Sequence, residues 1–177
     1  MAATPPGDGV DAIIRQWQQV RPDLDCSPMA VIGRLSRASR LLERALKEHF
    51  AQYGVEPWEF DVLATLYRSG PPYTVSAGEL STAAMVSSAA LTNRIDRLVD
   101  KDLVDRELDA THRRRVLISL TDAGIRAIED LVGHHLANEE RLLGGLAPTE
   151  REQLERLLRT LLLSLGDQPQ TPTPTTD

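Results

Sequence analysis

The spacing of apolar residues over the first seventy positions is typical of amphipathic helices. Over residues 28–54 the apolar side chains recur at intervals near 3.6 residues, and a glycine ends the pattern. A second segment, 57–70, opens on a proline, a residue favoured at the first helical position, and also ends at a glycine. A shorter segment, 11–19, predicts an additional N-terminal helix with Ile13, Ile14 and Trp17 on one side.

Two short helices are predicted next, joined by a turn of three to four residues. Ser76 has a glutamate, Glu79, three positions later, which is the spacing of a capping box. Ser87 or Ser88 is the predicted cap of the following helix, which runs to Lys101. The residues that it is predicted to turn inward are Leu91, Ile95, Leu98 and Val99. This arrangement is a helix-turn-helix.

A hairpin and two long helices complete the pattern. Residues 103–104 and 116–120 favour strands, and the polar segment ATHRRR between them predicts the hairpin turn. Thr121 is the predicted cap of a helix reaching about Gly144, and Pro148 opens a last helix that is rich in leucine. The leucines exceed what the core of one chain needs, which predicts a dimer interface.

The predicted fold class is therefore mainly α with a small β-hairpin wing, α+β, in a winged helix-turn-helix flanked by dimerisation helices. The predicted organisation is a disordered tail at 1–10, N-terminal helices at 11–54, a DNA-binding lobe at 55–120, C-terminal dimerisation helices at 121–166, and a disordered tail at 167–177.

Composition narrows the chemistry. The chain has 177 residues, one cysteine and four histidines, which predicts neither a disulfide framework nor a metal site. No segment is typical of an export signal or a membrane span, so we expect a cytoplasmic protein without a membrane partner. The net charge is −6, yet residues 86–120 carry +1. A polyanion partner should therefore meet this middle region.

The helix-turn-helix supplies candidate DNA contacts. Ser87 and Ser88, at the start of the second helix, are placed to meet phosphate. A helical wheel sets Asn93 and Arg97 opposite the apolar face, and these side-chain types pair with adenine and guanine. Arginines at the hairpin tip suit the minor groove. The remaining predicted DNA contacts are in the helix, Ala90 and Thr92, and in the tip, Arg113, Arg114 and Arg115.

The stretch ELSTAAMVSSAALTNRIDRLVDKDLVDRELDATHRRRVLISLTDAG resembles the DNA-binding core of MarR-type transcriptional regulators. The resemblance extends over about residues 29–165 and implies a homodimeric winged-helix repressor that binds palindromic operator DNA. The family pattern has an aspartate where this chain has His112. Asp109 remains as a residue that braces an arginine.

The extra N-terminal helix, the stretch EPWEFDVLATLYRSGPPY and the Asn93-Arg94 pair also resemble the urate-responsive branch of that family, the PecS- and TamR-type regulators. The resemblance implies a small anionic effector, urate or another purine-like anion, or a citrate- or aconitate-like polycarboxylate. The effector contacts that it implies are Trp17, Asp61, Arg94 and Arg106.

Three alternative functions would need different sequence features. No nucleophile–base pair, phosphate loop or metal-spaced cluster supports an enzyme, and no cofactor is predicted. A peroxide-sensing repressor would use Cys26, but Asp23 and Asp25 beside it disfavour a thiolate. A helical adaptor would use the hairpin for protein contacts instead of DNA.

Overall fold

A computed structural model describes residues 7–84, 88–112 and 115–167, apart from the side chain of Ser88. The bounds of the seven helices and three strands within these residues are α1 Gly9–Val20, α2 Ser27–Ala51, α3 Pro57–Arg68, β1 Thr74–Ser76, α4 Ala77–Ala83, α5 Ser88–Asp100, β2 Val104–Leu108, β3 Val116–Leu120, α6 Asp122–Leu142 and α7 Pro148–Ser164.

The N-terminal helix begins earlier than predicted. The Asp8 carboxylate accepts hydrogen bonds from the backbone N–H groups of Val10 and Asp11, so α1 starts at Gly9 instead of residue 11. Val10 is buried, and the Arg34 guanidinium on α2 donates to both aspartates. Residues 8–10 thus form the capped start of a helix, whereas the predicted tail included them; residues 1–6 and 168–177 lie outside the described part.

The sheet has three strands, one more than the predicted hairpin. β3 is central and pairs antiparallel with β2 on one side and with the unpredicted β1 on the other. β1 has only three residues and follows Tyr73, whose φ of 60° lies in the left-handed region. A strand this short carries too little alternation to be recognised, and pairing with β3 supplies the hydrogen bonds that define it.

The main core lies between α3, α4, α5, the sheet and the first part of α6. Its most buried side chains are aliphatic: Leu63, Leu66, Leu80, Ile95, Leu98, Ile118 and Ile128. Of the apolar residues predicted to face inward on α5, Leu91, Ile95 and Leu98 are buried, whereas Val99 is 41% exposed and the prediction was wrong for it. The fold class, mainly α with a small sheet in a winged helix-turn-helix, is confirmed.

α6 begins as predicted, because the Thr121 hydroxyl accepts from the Gly124 N–H and donates to the Asp102 carbonyl. At Gly124 the chain of Leu103 passes so closely that a Cβ would lie 2.0 Å from its carbonyl oxygen. Only glycine fits that approach.

The chain divides into two compact units, residues 1–135 and 136–177. In the second unit the Arg151 guanidinium binds both carboxylate oxygens of Glu140 at 2.7 Å. No described residue of α7 is buried, and the exposed leucines of this helix are Leu154, Leu157, Leu162 and Leu163. Within the described residues, no helix has the length and apolar character required to cross a membrane.

Candidate nucleic-acid interface and effector cavity

The helix-turn-helix is formed by α4 and α5. The Ser76 hydroxyl accepts from the Glu79 N–H, and the Glu79 carboxylate accepts from the Ser76 N–H, so the predicted capping box is present at α4. α5 starts at Ser88. The turn residues 85–87 lie outside the described part, as does the side chain of Ser88, so the phosphate contacts predicted for Ser87 and Ser88 stay predictions.

The outward face of α5 is centred on Asn93. Leu91, Ile95 and Leu98 are buried, while Asn93 is exposed on the opposite side of the helix. Thr92 is exposed and Ala90 is half-buried. An exposed amide at this position has the donor and acceptor that adenine recognition in the major groove requires.

Arg97 is exposed, as the helical wheel predicted, but its guanidinium lies against another helix. Its guanidinium carbon lies 4.9 Å from the centre of the Trp58 ring, and that of Arg94 lies 5.5 Å from the same ring. Both distances are within the range of cation–π attraction. Both arginines thus turn toward α3, because the half-buried ring of Trp58 offers an aromatic face on which guanidinium groups can stack. In this structure the Arg97 guanidinium stacks on Trp58, and the contact with a base that was expected for Arg97 stays a prediction.

The turn of the wing (residues 104–120) is organised by Asp109. Its carboxylate accepts from the Thr111 hydroxyl at 2.7 Å, from the Thr111 N–H at 2.8 Å and from the His112 N–H at 3.1 Å. These bonds lower the pKa of Asp109, with the Thr111 hydroxyl the largest cause. Among the described residues Asp109 braces Thr111 and His112, whereas an arginine was expected; Arg113 and Arg114 lie outside the described part.

Arg115 ends the turn and is directed back toward the helix-turn-helix. Its guanidinium donates to the Glu79 carboxylate on α4 at 3.1 Å. The sequence predicted Arg115 to be one of the DNA-contacting arginines, which stays a prediction, and in the structure its guanidinium has a protein partner of opposite charge.

A cavity of about 430 Å³ lies between the helix-turn-helix and the wing sheet. We call it the effector cavity. Its lining is mostly apolar or small: Ala77, Gly78, Ser81, Thr82, Leu91, Thr92, Ile95, Arg106, Val116 and Ile118. Among the described residues of that lining, the one charged residue is Arg106, whose guanidinium donates to Asp96 on α5 at 2.7 Å. An apolar cavity with one convergent cation suits a small organic anion.

Within one chain, the four effector contacts implied by the resemblance do not all meet in one place. Arg106 pairs with Asp96, and Arg94 is two residues from Asp96, so the two positions point about 200° apart on α5. Trp17 lies on α1, whose residues Val10 and Ile13 line a groove with the first half of α2. Asp61 follows Phe60, which packs on Phe50 at the other end of α2, about 30 Å away. Helix geometry therefore separates residues that were grouped only because of the resemblance to the PecS- and TamR-type regulators.

Asp61 and Arg94 remain electrostatic neighbours. Partial desolvation raises the pKa of the Asp61 carboxyl, while the positive charges of His135, Arg68 and Arg94 act in the opposite direction. Together with Trp58, this group forms a second cationic and aromatic region on the α3 side of α5.

Cys26 precedes α2 and is buried, with its thiol 3.8 Å from the Leu24 carbonyl oxygen. Burial shields the sulfur from peroxide, which disfavours the peroxide-sensing alternative. Among the residues described, no group of three or more potential metal ligands occurs.

Three features of the site were not predicted from the sequence: Trp58, Asp96, and Glu79 as an arginine partner. Each of them contacts a residue of another element, and the members of the Glu79–Arg115 pair are 36 positions apart in the sequence. Charge complementarity alone does not select such pairs, since the chain has 20 basic and 26 acidic residues.

Comparison with known proteins agrees with this architecture. The model of the MarR family matches residues 53–115. The chain is 42% identical over 149 residues to the HTH-type transcriptional regulator PecS of Dickeya dadantii (strain 3937), covering 84% of this chain and 90% of the relative.

Two solved structures are similar as well. A MarR variant from E. coli complexed with operator DNA has a TM-score of 0.65 and 26% identity, covering 82% of this chain and 97% of that one. BpsR of Bordetella bronchiseptica, studied for regulation of its DNA binding by 6-hydroxynicotinic acid, has a TM-score of 0.66 and 27% identity, covering 74% and 91%. The chain belongs to the MarR family of transcriptional regulators.

Proposed function

We propose that this protein is a homodimeric transcriptional repressor that binds palindromic operator DNA and is released from it by a small anionic effector. The observation that carries the proposal is the exposed face of α5, with Asn93 opposite the buried side of a helix-turn-helix that is joined to a wing. The E. coli MarR variant solved with operator DNA supports it.

In this proposal α5 enters the major groove and Asn93 contacts an adenine edge through its amide. Ser87, Ser88, Ala90 and Thr92 surround that contact at the start of the helix, where backbone N–H groups meet phosphate. Arg113 and Arg114 enter the adjacent minor groove. Arg97 contributes from its position on Trp58 to the positive potential beside the helix.

Fluorescence anisotropy with palindromic duplexes tests the DNA contacts. Half-sites about 10 bp apart should bind, because the two lobes of a dimer reach successive turns of one DNA face. Asn93→Ala should lower the difference in binding free energy between the operator and other sequences by about 1–3 kcal/mol. The dependence of affinity on salt should stay unchanged. Arg113→Ala with Arg114→Ala should flatten that salt dependence by about 0.9 for each phosphate that the arginines no longer neutralise.

Arg21→Ala is the matched control, since it removes an exposed arginine that is paired with Asp23 beyond the end of α1. It should change neither the sequence preference nor the salt dependence. A wild-type protein that binds no palindromic duplex at low salt would contradict the proposed function, and the helical adaptor would then be the better interpretation.

The effector is a urate-like or citrate- or aconitate-like anion held by Arg106 in the effector cavity. Its carboxylate or enolate oxygens would replace the Asp96 carboxylate on the guanidinium, so one charge-assisted hydrogen bond is exchanged for another. Asp96 is on α5, so breaking its ion pair with Arg106 removes a restraint between α5 and β2. Arg94 and Asp61, with Trp58, form the second candidate site, and Trp17 belongs to neither within one chain.

A thermal-shift panel of urate, xanthine, citrate and aconitate tests the effector. A ligand that binds only the native state raises the melting temperature, by an amount that grows with the ratio of its concentration to its Kd. Arg106→Gln should abolish the shift and the release of DNA, whereas Arg94→Gln should preserve both. The reverse pattern would assign the effector to the α3 side of α5.

A further inference from the structure

Among the described residues, two ion pairs join the helix-turn-helix to the wing, and Arg106 of one of them lines the effector cavity. One joins Arg106 of β2 to Asp96 of α5. The other joins Arg115, at the start of β3, to Glu79 in the first turn of α4. The first pair contains Arg106, the residue proposed to bind the effector. The second pair has no part in the proposed function.

The position of the Glu79 carboxylate is fixed by hydrogen bonds other than the one from Arg115. One carboxylate oxygen, Oε2, accepts the Ser76 N–H at 3.0 Å, the Ser76 hydroxyl and the Arg115 guanidinium at 3.1 Å. The capping box therefore orients the carboxylate, and the guanidinium binds to an acceptor that is already in place.

Arg115 is also the residue that closes the turn of the wing. Its backbone N–H donates to the His112 carbonyl at 2.7 Å, and its carbonyl accepts the Asp109 N–H at 2.9 Å. The same residue thus ends the turn through its backbone and attaches it to α4 through its side chain. A displacement of Arg115 would shift both ends of the turn that carries Arg113 and Arg114.

We propose that Glu79 and Arg115 are a positioning pair that holds the wing turn against the first turn of α4. In this inference, which rests on the proposed DNA binding, Arg115 neutralises Glu79 and contacts no phosphate. The pair fixes the base from which the two preceding arginines reach the minor groove. Its contribution to operator affinity is therefore made through the geometry of the wing.

Glu79→Gln and Arg115→Gln separate this role from a direct DNA contact. Glutamine at the third helical position still completes a capping box, so Glu79→Gln removes the charged partner and preserves α4. We expect each variant to weaken operator binding about two- to five-fold, the modest effect of losing an exposed ion pair. The double variant should be no weaker than either single variant, because the pair is already broken in both.

The dependence of log affinity on log salt is the second measurement, and it should stay at the wild-type value in all three variants. Arg115→Ala in the same assay would give the same result, because only the link to Glu79 is removed. Glu48→Gln is the matched control: it removes a carboxylate from an exposed pair with Arg44 on α2 and should leave operator affinity unchanged.

Two outcomes would overturn the inference while the proposed function stands. If Arg115→Gln lowers the salt slope by about 0.9, the value for one phosphate, and Glu79→Gln does not weaken binding, Arg115 touches phosphate. If wild-type protein binds the operator and neither variant changes the affinity, the pair does not position the wing. Failure of the wild-type protein to bind any palindrome would instead count against the proposed function itself.

Discussion

The Glu79 carboxylate shows how one side chain can stabilise both a helix terminus and a contact between elements. The hydrogen bond from the Ser76 hydroxyl is the largest cause of its lowered pKa, and the Ser76 backbone and Arg115 act in the same direction. A lowered pKa in the folded state means that folding favours the ionised form. This contribution to stability is complete above the ordinary value of 4.5 and is lost as the pH falls through the lowered pKa.

We therefore expect Glu79→Gln to lower the melting temperature by about 1–3 °C at pH 7, as for loss of an exposed pair in a chain of this size. The difference between the wild-type protein and the variant should shrink once the pH is below the ordinary range of a glutamate. Thermal denaturation followed by circular dichroism at pH 7 and pH 3.5 measures it. A difference that is equal at both pH values would show that the charge of Glu79 does not stabilise the fold.

Residue positions on helices were predictable from the sequence, but the ends of long side chains were not. The wheel of α5 placed Leu91, Ile95 and Leu98 on the buried side and Asn93 on the exposed side, because a helix rotates about 100° per residue, but Val99 is exposed. It could not predict that the flexible side chain of Arg97 reaches Trp58 on α3. The position of a guanidinium depends on the partners that the tertiary fold brings near it, and those partners are distant in sequence.

At the scale of helices and strands, α3 and α5 are joined by a buried carboxylate. Glu59 is 1% exposed, and its two carboxylate oxygens accept from the Lys101 ammonium at 2.7 and 2.9 Å. Glu59 also accepts the Glu56 N–H at the start of α3. The first turn of α3 is thereby bound to Lys101, the residue that follows α5.

Removing one member of this pair should cost more than removing both. Lys101→Met leaves the Glu59 carboxylate buried without its counter-charge, and we expect the free energy of unfolding to fall by about 3 kcal/mol. Adding Glu59→Gln should restore part of that loss, since glutamine is neutral and can still accept the Glu56 N–H. Urea denaturation of both variants measures the two values.

Lys47→Met is the matched control, because Lys47 lies exposed on α2 and the substitution should change stability by less than about 0.5 kcal/mol. Equal destabilisation of Lys101→Met with and without Glu59→Gln would show that the ammonium, and not charge balance, is what the site requires.

The order of the elements was largely predictable because their signals are local. Pro57 and the Ser76–Glu79 box mark helix starts that the structure confirms, and the strand around Ile118 follows its β-branched composition. β1 was missed because its three residues become a strand only by pairing with β3, more than 40 positions later. The effector cavity was unpredictable for the same reason, since four elements line it.

At the scale of the whole molecule, the exposed apolar side chains exceed what a monomer needs. They include Val31, Ile32 and Leu41 on α2, and Leu157, Leu162 and Leu163 on α7. Extensive exposed apolar surface on helices is typical of an interface between subunits. The homodimer in the proposed function would bury these side chains, and an operator with two half-sites requires two lobes.

A charge within the apolar surface of α7 should prevent dimerisation and, with it, operator binding. Leu157 is 57% exposed, and Leu157→Glu would put a carboxylate in the interface of both subunits. Losing about 2 kcal/mol of apolar burial in each copy raises the Kd of the dimer by about 1000-fold. Light scattering after size exclusion should then give the mass of one chain, and the affinity for a two-half-site duplex should fall toward that for a single half-site. Gln52→Glu adds a carboxylate at an exposed position outside α7, at the end of α2, and should remain dimeric and bind the operator as the wild-type protein does. A Leu157→Glu protein that stays dimeric at micromolar concentration would exclude this face of α7 from the interface.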